Sequence, residues 1–109
     1  MAAPIADPVQ RLSKTLFGQV HRLHVMDWIA RSDDGLINPG DMAADLGFRA
    51  QSAVQAPLRD LEDAGLITRM PSQAGRTYYQ RSESLVWAWI IEVMDEQSRR
   101  NVAARRARP

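Results

Sequence analysis

Two short helical segments on either side of a tight turn constrain the fold of this 109-residue chain more than any other feature. The first begins at Asn38, a capping residue before Pro39 at the first helical position, and it ends at Gly47. The second helix carries one buried stripe, at Val54, Leu58 and Leu61. Because so short a connection leaves little freedom, the two helices must cross closely, with the proportions of a helix-turn-helix.

Pro57 lies inside the second of these helices. Its ring removes the amide that would donate to the carbonyl of Ala53. The helix therefore either kinks at Pro57 or begins late and irregularly. The segment from Ser52 to Gln55 resembles a capping box, which favours a helix start near residue 52.

The hydrophobic period changes from helical to strand-like after Gly65. Residues 66–70 and 76–81 are rich in β-forming side chains, and the polar turn 71–75 separates them. This pattern predicts a hairpin with an exposed, cationic tip. Because neighbouring strand residues face opposite sides, one of Tyr78 and Tyr79 is expected in the core and the other half-exposed.

Helices flank this region on both sides. Two helices precede it between Val9 and Ala30, with Gly18 as the break, and a long apolar helix follows from about Leu85. The predicted fold class is mainly α with a small β-hairpin, in the order α-α-α-α-β-β-α. We expect a flexible arm at 1–8, one folded domain at 9–98 that ends in a dimerisation helix, and a basic tail at 99–109.

Composition excludes several classes of function. The chain has no cysteine, so disulfides, thiolate metal sites and cysteine nucleophiles are ruled out. No apolar run approaches the roughly 20 residues of a membrane span, and the first residues lack the features of a secretory signal. The serines lie in caps and turns without a base at readable spacing. We therefore expect a cytoplasmic protein with no membrane partner, no enzymatic activity and no cofactor.

Several motifs within residues 12–94 resemble ArsR-type winged helix-turn-helix regulators. Met42–Gly47 resembles their short helix, Leu61–Ile67 the exit of their recognition helix, and Gly75–Tyr79 the return strand of their wing. MarR-like and PadR-like regulators share this arrangement. The resemblance implies a bacterial dimer that binds double-stranded DNA, represses transcription, and uses residues 50–63 and the wing near 69–78 as its reading elements.

The positions of polar side chains also favour DNA binding. A helix N-terminus that faces the major groove can place short polar groups and arginine forks on base edges. We assign base contacts to Arg49, Gln51, Ser52 and Gln55. We assign phosphate or minor-groove contacts to Asn38, Arg59, Arg69, Ser72, Gln73, Arg76 and Thr77.

Other features leave a second function open. Asp60, Glu62 and Asp63 follow the reading segment, and Arg59 is equally well placed for an ion pair with Asp63. The alternative function is a winged-helix module that binds a protein without specific DNA recognition. A duplex binder should lose affinity steeply as salt rises, whereas a docking module should bind duplex weakly even at low salt.

The final helix is apolar on more than one face, and a single small domain covers only one of them. We therefore predict a homodimer about a two-fold axis, which would place two reading helices about 34 Å apart on an inverted repeat. In the alternative, both tryptophans of this helix pack on their own chain. The predicted dimer interface comprises Leu12, Leu16, Trp87, Trp89, Ile90, Val93 and Met94.

A sensory site is not evident in the sequence. The metal-ligand candidates are His21, His24 and Asp27, and three such groups on one helix would need help from a second chain to hold zinc. We therefore predict no metal site. A small-molecule effector pocket lined by Trp28, Met26 or Trp89 stays open as an alternative.

Overall fold

The computed structural model describes residues 7–107, apart from the side chains of Ser72 and Gln73. In this part of the chain the helices are α1 (Pro8–Phe17), α2 (Arg22–Arg31), α3 (Pro39–Asp45), α4 (Gln55–Asp63) and α5 (Leu85–Ala107). A 3-10 helix, Gln51–Val54, directly precedes α4. The strands are β1 (Leu36–Ile37), β2 (Ile67–Gln73) and β3 (Arg76–Arg81), in the antiparallel order β1-β3-β2. This arrangement agrees with the predicted fold class and adds one strand to it.

The added strand, β1, is two residues long and pairs with β3 through Ile37 and Tyr79. Sequence analysis missed it because two residues are too few to show an alternating pattern. Its side chain at Ile37 is fully buried in the core. The strand leads directly into α3, where Asn38 caps the helix as predicted: its Oδ1 accepts from the amides of Gly40 and Asp41 at 2.9 and 3.3 Å.

The second helix of the helix-turn-helix begins late. The residues preceding the 3-10 helix and α4 make no side-chain capping bond, so the predicted capping box at Ser52 is not formed. Pro57 explains the late start, because a helix that begins at Gln55 has Pro57 in its first turn, where amides have no intrahelical partner. Of the two alternatives, the irregular start is therefore correct.

The hairpin turn is tighter than predicted. Strand β2 continues through Pro71 to Gln73, which pairs with Arg76, so only Ala74 and Gly75 form the turn. Both have positive φ, 54° and 74°, as a two-residue hairpin turn requires. The register shifts between Met70 and Gln73, where Pro71 has no amide to donate.

One hydrophobic core joins the helices and the sheet. Helix α2 packs against both α1 and α5, while α4 closes over the sheet through its predicted stripe of Val54, Leu58 and Leu61. Tyr79 is buried and Tyr78 is half-buried, which confirms the expected division of the two tyrosines. The largest fully buried side chains include Leu23, Ile29, Ile37, Met42, Leu58, Ile67 and Ile90.

The last helix extends beyond the segment that sequence analysis assigned to it. Residues 99–107, expected as a tail, are helical, and only Arg108 and Pro109 of that tail lie outside the described residues. Glu96 supports the extension by ion pairs one turn ahead, at 2.7 Å to Arg99 and 3.3 Å to Arg100. Of the predicted arm, residues 1–6 lie outside the described residues, and Asp7 accepts from the amide of Val9 as the cap of α1.

Arg81, at the end of β3, holds the wing to the end of α2. Its Nη1 donates to the carbonyls of Ile29, Ala30 and Ser32 at 2.8, 3.0 and 2.9 Å. The Ile29 carbonyl also accepts from the amide of Ser32 at 3.2 Å, and the guanidinium adds a positive charge at the negative end of α2. The orientation of the wing is therefore tied to the central helix.

The turn beside Arg81 supplies a test of this packing. We expect Gly35→Ala to lower the free energy of unfolding by about 2 kcal/mol or more. Gly35 has φ +72°, and a Cβ there would lie 2.8 Å from Gln80 Nε2 and 3.1 Å from Arg81 Cβ. Gly18→Ala is the matched control, since Gly18 has φ +75° and nothing within 4 Å of its Cβ position. Equal losses in urea denaturation would show that Gln80 and Arg81 do not restrict the turn.

Candidate nucleic-acid interface

A concave groove of about 610 Å³ lies between α4 and the β2–β3 hairpin. The 3-10 helix and α4 form one wall, the hairpin forms the other, and the start of α3 closes one end. Seven of the side chains assigned to DNA from the sequence line it, although they come from three separate stretches of chain. They are Asn38, Gln51, Gln55, Arg59, Arg69, Arg76 and Thr77.

The helical wall presents one polar stripe to the groove. Gln51, Gln55 and Arg59 follow one another at four-residue spacing and are all exposed. The opposite face of the same segment carries the buried stripe that includes Val54 and Leu61. Burial of that apolar stripe therefore fixes which side chains face outward. Among the described residues, no ion pair joins Arg59 to Asp63. The Arg59 guanidinium is therefore not engaged by that carboxylate and faces the groove.

The hairpin wall of the groove carries arginine side chains close to the ring of Tyr79. Arg76 and Thr77 are exposed on β3, and Arg69 lies on β2 with its Cζ 5.6 Å from the centre of the Tyr79 ring. Arg69 Nη2 also donates to Glu62 Oε1 at 3.2 Å. The bond to Glu62 raises the pKa of Arg69 above its ordinary value, with Tyr79 contributing further. Arginine stays protonated in proteins, so Arg69 contributes a positive charge to the groove.

Carboxylates around the groove differ in their partners. Asp60 accepts from Arg22 Nη2 at 2.7 Å, and Glu62 is bonded to Arg69. Asp41 also lines the groove, although it was not among the side chains assigned to DNA from the sequence. The described lining therefore contains three arginines and one carboxylate, a net positive surface.

The remaining DNA candidates lie elsewhere. Arg49 and Ser52 are exposed but do not line the groove. The side chains of Ser72 and Gln73 lie outside the described residues. Asn38 lines the groove while its Oδ1 is engaged in capping α3, which leaves its amide group as the available donor.

A second concave surface of about 500 Å³ lies between α1 and α5. Its apolar lining consists of Leu12, Leu16, Trp89 and Val93, with Leu16 43% and Trp89 45% exposed. Trp89 also meets the ring of Phe17 edge to face at 6.5 Å. The polar rim consists of Glu92, Glu96, Gln97 and Arg100.

Trp87 and Ile90, which sequence analysis assigned to a dimer interface, lie in the core of their own subunit. Trp87 is 5% exposed and donates from Nε1 to the carbonyl of Ser82 at 2.9 Å, and Ile90 is 0% exposed. Both residues belong to the hydrophobic core of the subunit, where α5 packs against α2. Met94 is half-buried against the same core.

The candidate metal ligands of α2 have different partners. His21 meets the ring of Phe48 at 4.9 Å, His24 lies 3.4 Å from Asp7, and Asp27 accepts from Arg31 at 2.7 Å. Within residues 7–107, no group of three or more His, Asp or Glu side chains is placed to hold a metal ion.

The three side chains suggested for an effector pocket do not line one common cavity among the described residues. Trp28 donates to Asp45 at 2.9 Å and lines a small cavity beside α3, Met26 is buried, and Trp89 lies in the α1–α5 groove. In the described part of the chain, no helix is both long enough and apolar enough to cross a membrane.

Two solved structures share this fold. MepR, a transcription regulator of the Staphylococcus aureus multidrug efflux pump MepA, aligns with 89% of this chain and 72% of its own, at 19% identity and a TM-score of 0.65. AbsC, a MarR family transcriptional regulator from Streptomyces coelicolor, aligns with 88% of this chain and 64% of its own, at 19% identity and a TM-score of 0.55. The chain thus spans less than two thirds of AbsC. No family profile and no curated protein matches the sequence.

These alignments confirm the predicted winged-helix fold class. They do not confirm the ArsR subtype, because the family named for a similar structure is MarR. At 19% identity the likeness establishes the fold alone, and the evidence on function comes from the residues that line the groove.

Proposed function

We propose that this chain is a sequence-specific DNA-binding transcriptional regulator that acts as a dimeric repressor on an inverted repeat. One observation carries the proposal: side chains assigned to DNA from residues 38, 51–59 and 69–77 line a single exposed groove of net positive charge. A hydrophobic core does not require arginine and amide side chains from separate stretches of chain to meet on one surface, whereas a surface that contacts a polyanion does. The description of both similar structures as transcription regulators supports the same function.

The two walls of the groove suit different parts of a duplex. The Gln51–Gln55–Arg59 stripe is narrow enough to enter a major groove about 12 Å wide, where glutamine can bond bidentately to adenine. The hairpin then lies along the adjacent backbone, and Arg69, Arg76 and Thr77 contact phosphates. A sugar–phosphate strand would thus run between the two walls.

We further propose that a second copy of the chain covers the α1–α5 groove, using Leu12, Leu16, Trp89 and Val93 with Met94 beside them. Leu16 and Trp89 lie side by side in this groove and are nearly half exposed, and aromatic anchors are enriched at interface centres. A two-fold axis there would place two reading helices about one DNA turn, roughly 34 Å, apart. Residues 9–98 then form the reading domain, and residues 99–107 extend its helix with basic side chains.

Repression requires only that the dimer occupy a promoter, so the proposed mechanism needs no catalytic step and no cofactor. Such a dimer would act in the cytoplasm, where it meets chromosomal DNA. Gln51 and Gln55 supply base discrimination, the arginines supply affinity, and the α1–α5 contact sets the spacing between half-sites.

Selection of bound duplexes from a random pool tests this function directly. The expected result is enrichment of an inverted repeat whose half-sites lie about one helical turn apart. Absence of enrichment, together with no salt-dependent retention of duplex, would reject DNA binding and favour the protein-docking alternative.

Arg76→Ala should weaken binding to every duplex, because this side chain lies on the hairpin wall and is assigned to phosphate. We expect the slope of log K against log salt to become shallower by about 0.9, the value for one lost phosphate contact. Fluorescence anisotropy over a salt series measures both quantities. Arg11→Ala, an exposed arginine of α1 outside the groove, is the matched control. An unchanged slope for Arg76→Ala would show that this side chain of the wing does not contact a phosphate.

A further inference from the structure

The ion pair between Glu62 and Arg69 joins the end of α4 to strand β2. The distance from Arg69 Nη2 to Glu62 Oε1 is 3.2 Å, and the two side chains are 54% and 29% exposed, respectively. Arg69 lines the groove assigned to DNA, whereas Glu62 contacts Arg69 from outside the lining. One of the three groove cations is therefore already bonded to a carboxylate before any ligand arrives.

The position of Arg69 is set by two contacts. Antiparallel pairing places Arg69 opposite Tyr79, and its guanidinium lies 5.6 Å from the ring centre. The guanidinium has five N–H groups that can donate to oxygen acceptors, and one of them, on Nη2, donates to Glu62.

A DNA phosphate at Arg69 meets the Glu62 carboxylate. Arginine binds carboxylate and phosphate through the same kind of N–H donor, so a phosphate that takes Nη2 displaces Glu62, and a phosphate at the remaining N–H groups is repelled by it. An exposed pair of this kind is weak enough for phosphate to replace it. The replacement nevertheless leaves the Glu62 carboxylate unpaired and close to a polyanion.

We propose that Glu62 competes with DNA phosphate for Arg69 and so holds down nonspecific affinity. Glu62 is thereby a determinant of specificity, because it reduces binding that depends on phosphate alone and leaves the base contacts of Gln51 and Gln55 untouched. The inference rests on the proposed DNA-binding function and assigns a role to a residue outside the reading stripe.

Asp63 offers a matched control on the same helix. It is adjacent to Glu62, exposed, and forms no ion pair within the described residues. Asp63→Asn therefore removes one negative charge near the groove without releasing an arginine. Glu62→Gln removes the same charge and releases Arg69, so the difference between the two variants reports competition rather than net charge.

The experiment measures binding to a random-sequence duplex over a salt series for Glu62→Gln, Asp63→Asn and the wild type. We expect Glu62→Gln to bind about fivefold more tightly at low salt, with a slope steeper by up to about 0.9, because Arg69 then holds its phosphate without competition from Glu62. Asp63→Asn should tighten binding by less than about twofold and leave the slope unchanged. Glu62→Ala repeats the test without the new amide group, and thermal unfolding confirms that each variant is folded.

Arg69→Ala in both backgrounds completes the cycle. Competition predicts a small loss of affinity in the wild type and a clearly larger loss in the Glu62→Gln background. The reverse order, or weaker binding by Glu62→Gln, would show that Glu62 positions Arg69 for DNA and would overturn the inference. Equal losses in both backgrounds would overturn it as well while leaving DNA binding intact. If no variant binds duplex at any salt concentration, the proposed function fails together with the inference.

Discussion

Replacing Gln51 and Gln55 together by alanine is expected to remove most of the preference for the selected site while leaving nonspecific binding nearly unchanged. Both side chains are exposed on the same face of the reading segment and line the groove. A good bidentate contact to a base contributes about 1–3 kcal/mol of discrimination, so two such contacts correspond to about 30-fold or more in the specificity ratio. The neighbouring arginines keep their phosphate contacts, which is why affinity for random duplex should persist.

The measurement compares dissociation constants for the selected site and for a scrambled duplex at one salt concentration. Gln19→Ala, an exposed glutamine between α1 and α2, is the matched control and should leave both constants unchanged. Because both glutamines point away from the core, the double variant should unfold at the same temperature as the wild type. Equal losses of affinity for the two duplexes would show that Gln51 and Gln55 do not take part in base recognition.

The helix-turn-helix and the hairpin could be predicted because their signals are local and mutually consistent. The stripe of Val54, Leu58 and Leu61 fixed the buried face of α4, and the change of period after Gly65 located the strands. Strand β1 could not be predicted, since Leu36 and Ile37 form a strand only by pairing with β3, more than 40 residues later. The start of α4 depended on the backbone geometry that accommodates Pro57, which the capping-box pattern does not encode.

Sequence analysis named many of the side chains that line the candidate DNA surface, but it did not predict the ion pair formed by one of them. Sequence analysis assigned Gln51 and Gln55 to bases and Arg59 to phosphate, and the structure places all three in one groove opposite Arg69 and Arg76 of the hairpin. The Glu62–Arg69 pair spans the exit from α4 into β2, where the backbone direction changes, so no helical or strand spacing indicates it. The groove position of Asp41 likewise depends on how α3 packs beside α4.

The two tryptophans of α5 show where sequence periodicity reaches its limit. Trp87 and Trp89 are two residues apart and hence lie on different faces of the helix. A helix that is apolar on both faces does not reveal which face packs inside its own subunit. The structure assigns Trp87 to the core and leaves Trp89 in the α1–α5 groove, so one tryptophan matches the packing alternative and the other remains a proposed interface residue.

Trp89→Glu is expected to dissociate the proposed dimer while each subunit remains folded. Loss of a central aromatic anchor typically costs about 2 kcal/mol or more, and the two-fold axis doubles each loss. The new carboxylate would also join Glu92 and Glu96 in the same groove, where like charges repel. We therefore expect dimer affinity to fall by about 1,000-fold or more, measured by sedimentation equilibrium over a concentration series.

Two controls separate dissociation from unfolding and from a simple change of charge. Trp89 is 45% exposed in the subunit, so thermal unfolding of a monomeric variant should report an intact core. Leu85→Glu places the same carboxylate on α5 at a residue that is 89% exposed and outside the groove, and it should leave the dimer intact. A dimeric Trp89→Glu protein at micromolar concentration would contradict the interface. If the interface is correct, the variant should bind a single half-site as well as the wild type does but lose its preference for the inverted repeat, since only the contact between subunits couples the two reading helices.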